Sequence, residues 1–362
     1  MKRRSLLQLS AGFSAAALLD QLGAAASQSK APKGKVFVLL DLRGGNDGLN
    51  TVGPHRHPLY LAARPRLKIT DGFSLGPELY AHPALAPLKP AWRAGRLAFA
   101  LGVGWREPNR SHFQAMDDWA RGTPSPTPDA AGWLATAIRK RGSRGPLVTL
   151  GPTGAPALEG PDVISLQLNQ ASFTAPPFAL ANGRSSHANP VVDKILAIES
   201  SGNRELARLR KALAPLPKGV RIPAGLLGQQ VAFALRLIGS GICPPVLQMA
   251  LGGFDTHGNQ LAGHAQQLRQ LAEALATFDA ALQRMPNRPP VTLLSTSEFG
   301  RRLQENNSGG TDHGSASVAL LLGDQVPHPF IGRYPSLARL DDRGDLIPAM
   351  EPLELYRRAL AL

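Results

Sequence analysis

The chain has 362 residues, 43% of them hydrophobic, a formal net charge of +14 and one cysteine. Its length suffices for a large core in one big domain or two small ones. The single Cys243 excludes an intrachain disulfide and a cysteine-rich zinc site, and its place before an apolar run suits buried packing. The arginines are scattered and no nucleic-acid module accompanies them, so no nucleic-acid partner is expected. A basic surface favours anionic substrates or anionic envelope surfaces.

Residues 1–27 read as an export signal. Lys2-Arg3-Arg4 precedes an apolar stretch from Leu6 to about Leu22, and Ala24-Ala25-Ala26-Ser27 is a small-residue cleavage site. Arg3-Arg4-Ser5-Leu6-Leu7 resembles a twin-arginine signal, which sends folded proteins across the bacterial inner membrane. Periplasmic or otherwise exported localisation is expected, with no transmembrane segment after signal removal. Residues 28–362 are expected to form one domain.

Along the mature chain, apolar runs alternate with helical patterns. The runs are Val36 to Leu42, Leu97 to Val103, Leu147 to Leu150, Val246 to Leu251, Val291 to Ser295 and Val318 to Leu322. Helical spacing covers about 83–93, 112–121, 130–141, 190–213, 224–239 and 260–284, and 151–190 reads as loop or insertion. Runs apolar throughout, separated by helices, predict an α/β fold: three layers, with a mostly parallel central sheet and helices on both faces. Ligands in such sheets sit beyond the carboxyl ends of the strands.

Polar motifs fall at those ends. The first run gives way to Arg43-Gly44-Gly45-Asn46-Asp47. Its glycines allow a tight turn, Asp47 could bind a metal or cap a helix, and Arg43 could pair with an anion. After the second, Ser111 stands where a helix begins, as a nucleophile or an ordinary N-cap. After the Val246 run comes Gly253-Phe254-Asp255-Thr256-His257. Asp255 and His257 are two apart, so in extended chain they share a side, and a carboxylate beside an imidazole can hold a divalent metal. The last end carries Glu298, Arg301 and then Asp312-His313. Adjacent residues rarely face one metal together, so one of Asp312 and His313 could orient the other. Each of these residues could equally be an ordinary loop residue. Asp255, His257 and His313 are nonetheless expected to supply three ligands with an open fourth position, with Asp47 and Glu298 close by.

The motifs LRGGNDGLN, NRSHFQAMDDWARG, GGFDTHGNQ, SEFGRR and GTDHGSA, in this order over roughly residues 33–346, resemble the domain of unknown function 1501 family. That family is similar in fold to the alkaline phosphatase and sulfatase superfamily. The resemblance implies Asp47 as the first-strand metal carboxylate, Ser111 as nucleophile, Asp255 and His257 as a metal pair, and His313 completing that metal. It also implies Glu298 as a carboxylate of a second metal, whose partner position here is Phe299, which cannot bind one. Asp41 departs from the family's usual uncharged residue. The chain after Glu351 is shorter than is usual, which predicts a loosely closed C-terminal edge.

Two functions follow as expectations. One is a metal-dependent hydrolase of a phosphate or sulfate ester, using zinc, manganese or calcium. Ser111 would attack while Arg43 or Arg301 clamps an anionic small-molecule or glycan ester. The other is a non-catalytic envelope protein that binds a partner or glycan on the same fold.

Overall fold

Strands that are hydrophobic on both faces need cover on both faces, and the computed structural model shows how they obtain it. It describes residues 34–143, 147–151, 154–161, 163, 165–168, 213–241, 244–285 and 287–361. The export signal, the helical pattern at 190–212 and Cys243 lie outside the described residues.

The strands are β1 (Val36–Leu42), β2 (Val52–Gly53), β3 (Phe73–Ser74), β4 (Tyr80–Ala81), β5 (Leu97–Val103), β6 (Leu147–Thr149), β7 (Ser165–Gln167), β8 (Val246–Leu251), β9 (Val291–Thr296), β10 (Ser317–Gly323) and β11 (Phe330–Gly332). Eight form the main sheet, in the order β11-β5-β10-β9-β1-β8-β6-β7, while β2, β4 and β3 make a small separate one. Pairing is parallel for β1 with β8 and β9, β6 with β7 and β8, and β5 with β11. Within the main sheet, among the described residues, only β10 runs against its neighbours, β5 and β9. The six apolar runs are six of these strands. β7 and β11 have three residues each, too short to show a period, so nothing in the sequence marked them.

The period of two along β1 divides the core. Val36, Val38, Leu40 and Leu42 face a cluster containing the helices Leu226–Gly239 and Gln260–Leu282. Phe37 and Leu39 face the other side, where the helices His112–Arg121, Trp133–Lys140 and Pro352–Ala361 supply Trp119, Trp133 and Tyr356. The molecule is therefore an α/β protein of three layers with a mostly parallel sheet. The periodic segments at 112–121, 130–141, 224–239 and 260–284 are helices to within three residues, Gly48–Thr51, Pro58–Ala63 and Pro352–Ala361 are helices outside any predicted segment, and 83–93 is divided. There Pro87 and Pro90 divide the segment into a 3-10 helix, Pro83–Leu88, and a single α-turn, Lys89–Arg93. The C-terminal edge is not loosely closed. Pro352–Ala361 buries Leu355, Tyr356 and Ala359, and Tyr356 stacks on Trp133 with ring centroids 3.9 Å apart. No helix among the described residues is long and apolar enough to cross a membrane.

The reversed direction of β10 has a functional consequence. The segment carrying His313 precedes β10, so it reaches the sheet at the same edge where β1, β5, β8 and β9 end.

Candidate metal centre

Three strand ends and the start of β10 build the site. After β8 the chain turns tightly, the Thr256 N–H donating to the Phe254 carbonyl at 2.9 Å, and its burial alternates. Phe254 and Thr256 are buried, whereas Asp255 and His257 are exposed and share a side. The β1 turn must pass close beneath. A Cβ on Gly44, whose φ is +112°, would lie 2.3 Å from the Asp255 amide nitrogen, so only glycine fits there. Gly310 is as constrained, because a Cβ there would meet the His257 carbonyl at 2.3 Å. These approaches bring Asp255, His257 and His313 together.

His112, which the sequence did not single out, joins them. It is the first residue of the helix His112–Arg121, and its Nε2 lies 3.3 Å from Asp255 Oδ2. The Nε2 atoms of His257 and His313 lie 3.1 and 3.2 Å from Asp255 Oδ1 and 2.8 Å from each other. His112, Asp255 and His313 each offer a ligand atom within 4.8 Å of the others.

The other ring nitrogen fixes the tautomer of His313. His313 Nδ1 is 2.9 Å from the Arg110 carbonyl, which can only accept, so Nδ1 carries the proton. His112 Nδ1 meets Glu298 Oε1 at 3.0 Å, and His257 Nδ1 meets Asp312 Oδ1 at 3.4 Å. The Nε2 atoms of these two rings face the Asp255 carboxylate, so each neutral ring can donate to only one of its two carboxylates. When Nδ1 carries the proton in each neutral ring, all three Nε2 atoms present lone pairs to one another and to the Asp255 carboxylate. Burial, the largest influence on His313, holds it below the ordinary histidine range despite Asp255 and the Arg110 carbonyl, which disfavours relieving the clash with a proton there. Burial works to raise Asp255, but the hydrogen bond and the charge of Arg301 outweigh it and hold the carboxyl at about 2. The site is thus an anion with three imidazole lone pairs around it.

The remaining expected site residues divide. Glu298 is buried beside the cluster, but Oε1 is taken by the Gly44 N–H at 2.7 Å and by His112. Its place is behind a ligand, and Asp312 stands in the same relation to His257. Arg301 is fully buried and donates to the carbonyls of Gly44, Gly45, Phe254 and Thr311 and, at 2.8 Å, to Asp255 Oδ1. A guanidinium so committed positions Asp255 and leaves nothing for a substrate anion. Arg43 points elsewhere, to the Gly154 carbonyl at 3.2 Å and into a cavity behind Glu298.

Asp47 does not join the cluster. It caps the short helix Gly48–Thr51, and its Oδ2 receives Arg64 Nη1 and Gln260 Nε2, each at 2.5 Å. A buried carboxylate paired with a buried arginine has no free lone pair aimed at the imidazoles. Ser111 is exposed at the N-cap of His112–Arg121, but its hydroxyl makes no capping bond. The loop before it is tied down by Arg110, which ion-pairs with buried Asp345. Phe299 is buried with its ring against His313 and His112, centroids 4.2 and 5.1 Å apart, and so occupies the position where the resemblance called for a second metal ligand.

A signal for His112 was present in the sequence: it adjoins Ser111 in a strand-end motif. Nothing local revealed that this loop folds over Asp255.

Comparison with known proteins agrees with the motif reading in part of the chain. The family model described as Protein of unknown function (DUF1501) matches residues 192–342, which hold Asp255, His257, Glu298 and His313. No curated protein matches. Among solved structures, the chain is similar to the lipoteichoic acid synthase LtaP from Listeria monocytogenes, at 9% identity and a TM-score of 0.40, covering 93% of this chain and 81% of that one. It is also similar to the C-terminal periplasmic domain of EcEptC from Escherichia coli in complex with Zn, at 11% identity and a TM-score of 0.36, covering 90% and 81%. A third is a protein in the alkaline phosphatase superfamily from Vibrio parahaemolyticus, at 11% identity and a TM-score of 0.38, covering 87% and 70%.

Proposed function

We propose that this chain, whose residues 192–342 match that family of unknown function, is an exported hydrolase of phosphate or sulfate esters. On this reading residues 28–362 form one domain that works with a single zinc-like ion held by His112, Asp255, His257 and His313. The observation that carries the reading is the convergence of three Nε2 atoms on one carboxylate, each ring with an acceptor at its other nitrogen. Acceptors so arranged repel one another unless a cation lies among them. The donor set also fits the ion. Three imidazoles and one carboxylate suit zinc, whereas calcium takes oxygen ligands, so zinc is preferred over manganese and calcium.

When bound, such an ion would polarise an ester oxygen and favour the deprotonated form of a nucleophile. The chain's own groups have separate tasks. Glu298, Asp312 and the Arg110 carbonyl hold the rings in the tautomer that exposes Nε2. Arg301 orients Asp255. Ser111, with its hydroxyl free of the capping bond, stands at the N-terminus of a ten-residue helix whose first N–H groups favour an anion there, and it is our candidate nucleophile. Phe299 against His112 and His313 supports one ion rather than two.

A second reading, a non-catalytic envelope protein binding a partner or glycan, draws support from the same phenylalanine, since one ion lacks the two-ion clamp on both ester oxygens. Elemental analysis after incubation with zinc, paired with turnover of nitrophenyl phosphate and nitrophenyl sulfate, separates the readings. The mature protein is expected to carry about one zinc, and His257→Ala and His313→Ala to carry far less. Ser111→Ala should keep the metal and lose turnover. Metal without turnover of either ester supports the binding protein, and absence of stoichiometric metal from the mature protein and both histidine variants overturns the hydrolase.

A further inference from the structure

The face of the sheet that carries Phe37 and Leu39 also carries Asp41, and there the layers part. A cavity of ≈ 480 Å³ lies between the sheet and the helices His112–Arg121, Trp133–Lys140 and Pro352–Ala361. That is ample for a metabolite-sized molecule. Its walls are aromatic: Trp119, the stacked pair Trp133 and Tyr356, and the exposed Phe113. None of the four proposed metal ligands lines it, although Glu298 closes one side.

Its polar groups are unbalanced in two ways. First, the charge is inverted. In a chain of net charge +14, the lining holds three carboxylates, Asp41, Asp117 and Glu298, against one guanidinium, Arg43. Asp117 is paired with Arg121, and Glu298 is engaged by His112. Asp41 is not matched in this way. It accepts from Gln248 Nε2 at 2.5 Å and Thr296 Oγ1 at 3.1 Å, both neutral, and Arg43 comes no nearer than 4.0 Å. Second, hydrogen-bonding atoms are left over. Gln248 Oε1, Trp119 Nε1 and Arg43 Nε have no partner, and the first two residues are only 3% and 6% exposed. Buried polar atoms without partners are costly unless a ligand or water completes them.

We propose that this cavity binds an organic cation, an ammonium group on an apolar body of about ring size, with Asp41 as its counter-ion. The ammonium would donate to Asp41 and Gln248 Oε1, its body would lie against the aromatic walls, and Trp119 Nε1–H would meet an oxygen further along the ligand. Burial raises Asp41 more than Arg43 lowers it, as befits a carboxylate short of a full cationic partner. The site is independent of the metal reading, because it uses none of the proposed ligands.

Three probes with similar bodies test the charge: 2-phenylethylammonium, 2-phenylethanol and 3-phenylpropionate, titrated calorimetrically into the mature protein. The ammonium should bind saturably and at least tenfold tighter than either other probe, with the same affinity in zinc-loaded and chelator-treated protein. Asp41→Asn should lower that affinity tenfold or more. Tighter binding of the carboxylate would assign the cavity to anions through Arg43 and Trp119. That outcome, equal binding of the three probes, or no saturable binding overturns the proposal on the unmodified chain, whether or not the variants fold.

Discussion

Two groups of aspartate and histidine sit at the same sheet edge, and the same residue types serve opposite ends in them. Behind the edge, Asp47, Arg64, Asn46, Gln260 and His264 are all buried, and the charged and ring groups meet partners: Arg64 to Asp47, Gln260 to Asp47, His264 to Asn46, with Asn46 Nδ2 left over. In front, His112, Asp255, His257 and His313 turn acceptors toward one another. A matched network rigidifies, whereas a mismatched one needs something from outside. The two are joined. Gln260 Oε1 receives the hydroxyls of Thr256 and Thr311, residues that neighbour Asp255, His257 and Asp312 in the chain, so the buried group holds the loops that present the open one.

The comparison breaks most visibly at Arg64. This side chain is fully buried and satisfies Asp47, Asn50 and the carbonyls of Arg302 and Leu303. Arg64→Met leaves the Asp47 charge buried without a counter-ion and is expected to cost about 3–5 kcal/mol in urea unfolding. Adding Asp47→Leu should recover much of that loss. A cost for the single variant under about 1 kcal/mol would mean that Asp47 is protonated or reached by water, and that the buried group is not the matched network described.

A smaller effect sharpens the front group. Glu298→Gln keeps the shape but weakens the acceptor that fixes the His112 tautomer, and should lower zinc affinity 10–100-fold. Asp312→Asn should cost less, because Asp312 is half exposed and its bond to His257 is long, at 3.4 Å. Equal effects from the two, read by competition with a chelating dye, would argue that neither carboxylate acts through ring orientation.

What was legible beforehand followed from local chemistry. Apolar runs such as Val36–Leu42 announced buried parallel strands, and the two-residue spacing of Asp255 and His257 announced a shared side. Asp47 read as a ligand or a cap from its loop, and the choice depended on Arg64, 17 residues away, and Gln260, 213 away. No local pattern encodes such a contact. His112 is hidden for the same reason, since its Glu298 partner lies 186 residues on. Arg301 shows the converse. Strand-end arginines suggest anions, yet this one is consumed by four backbone carbonyls that only the fold brings near.

The smallest expected effect concerns protons. Burial lowers His264 to about 3, with Asp47 opposing, and lowers His55 and His82 to about 4. An unfolded histidine titrates near 6.5, so below that pH the unfolded chain binds protons that the folded chain refuses. The neutral rings therefore favour the fold fully above about pH 6.5, and their contribution falls as pH drops toward the folded values. Each contributes a slope approaching ~1.4 kcal/mol per pH unit. His264→Gln can still donate to Asn46 and has nothing to titrate. Between pH 6 and 4.5 its unfolding free energy should fall more shallowly than that of the unmodified protein, by about one histidine's slope. Zinc would complicate the comparison by competing with protons at the front group, so both proteins are measured with chelator present. Parallel pH profiles would show that His264 takes up its proton in the folded state, and that the buried group has a proton-accepting member after all.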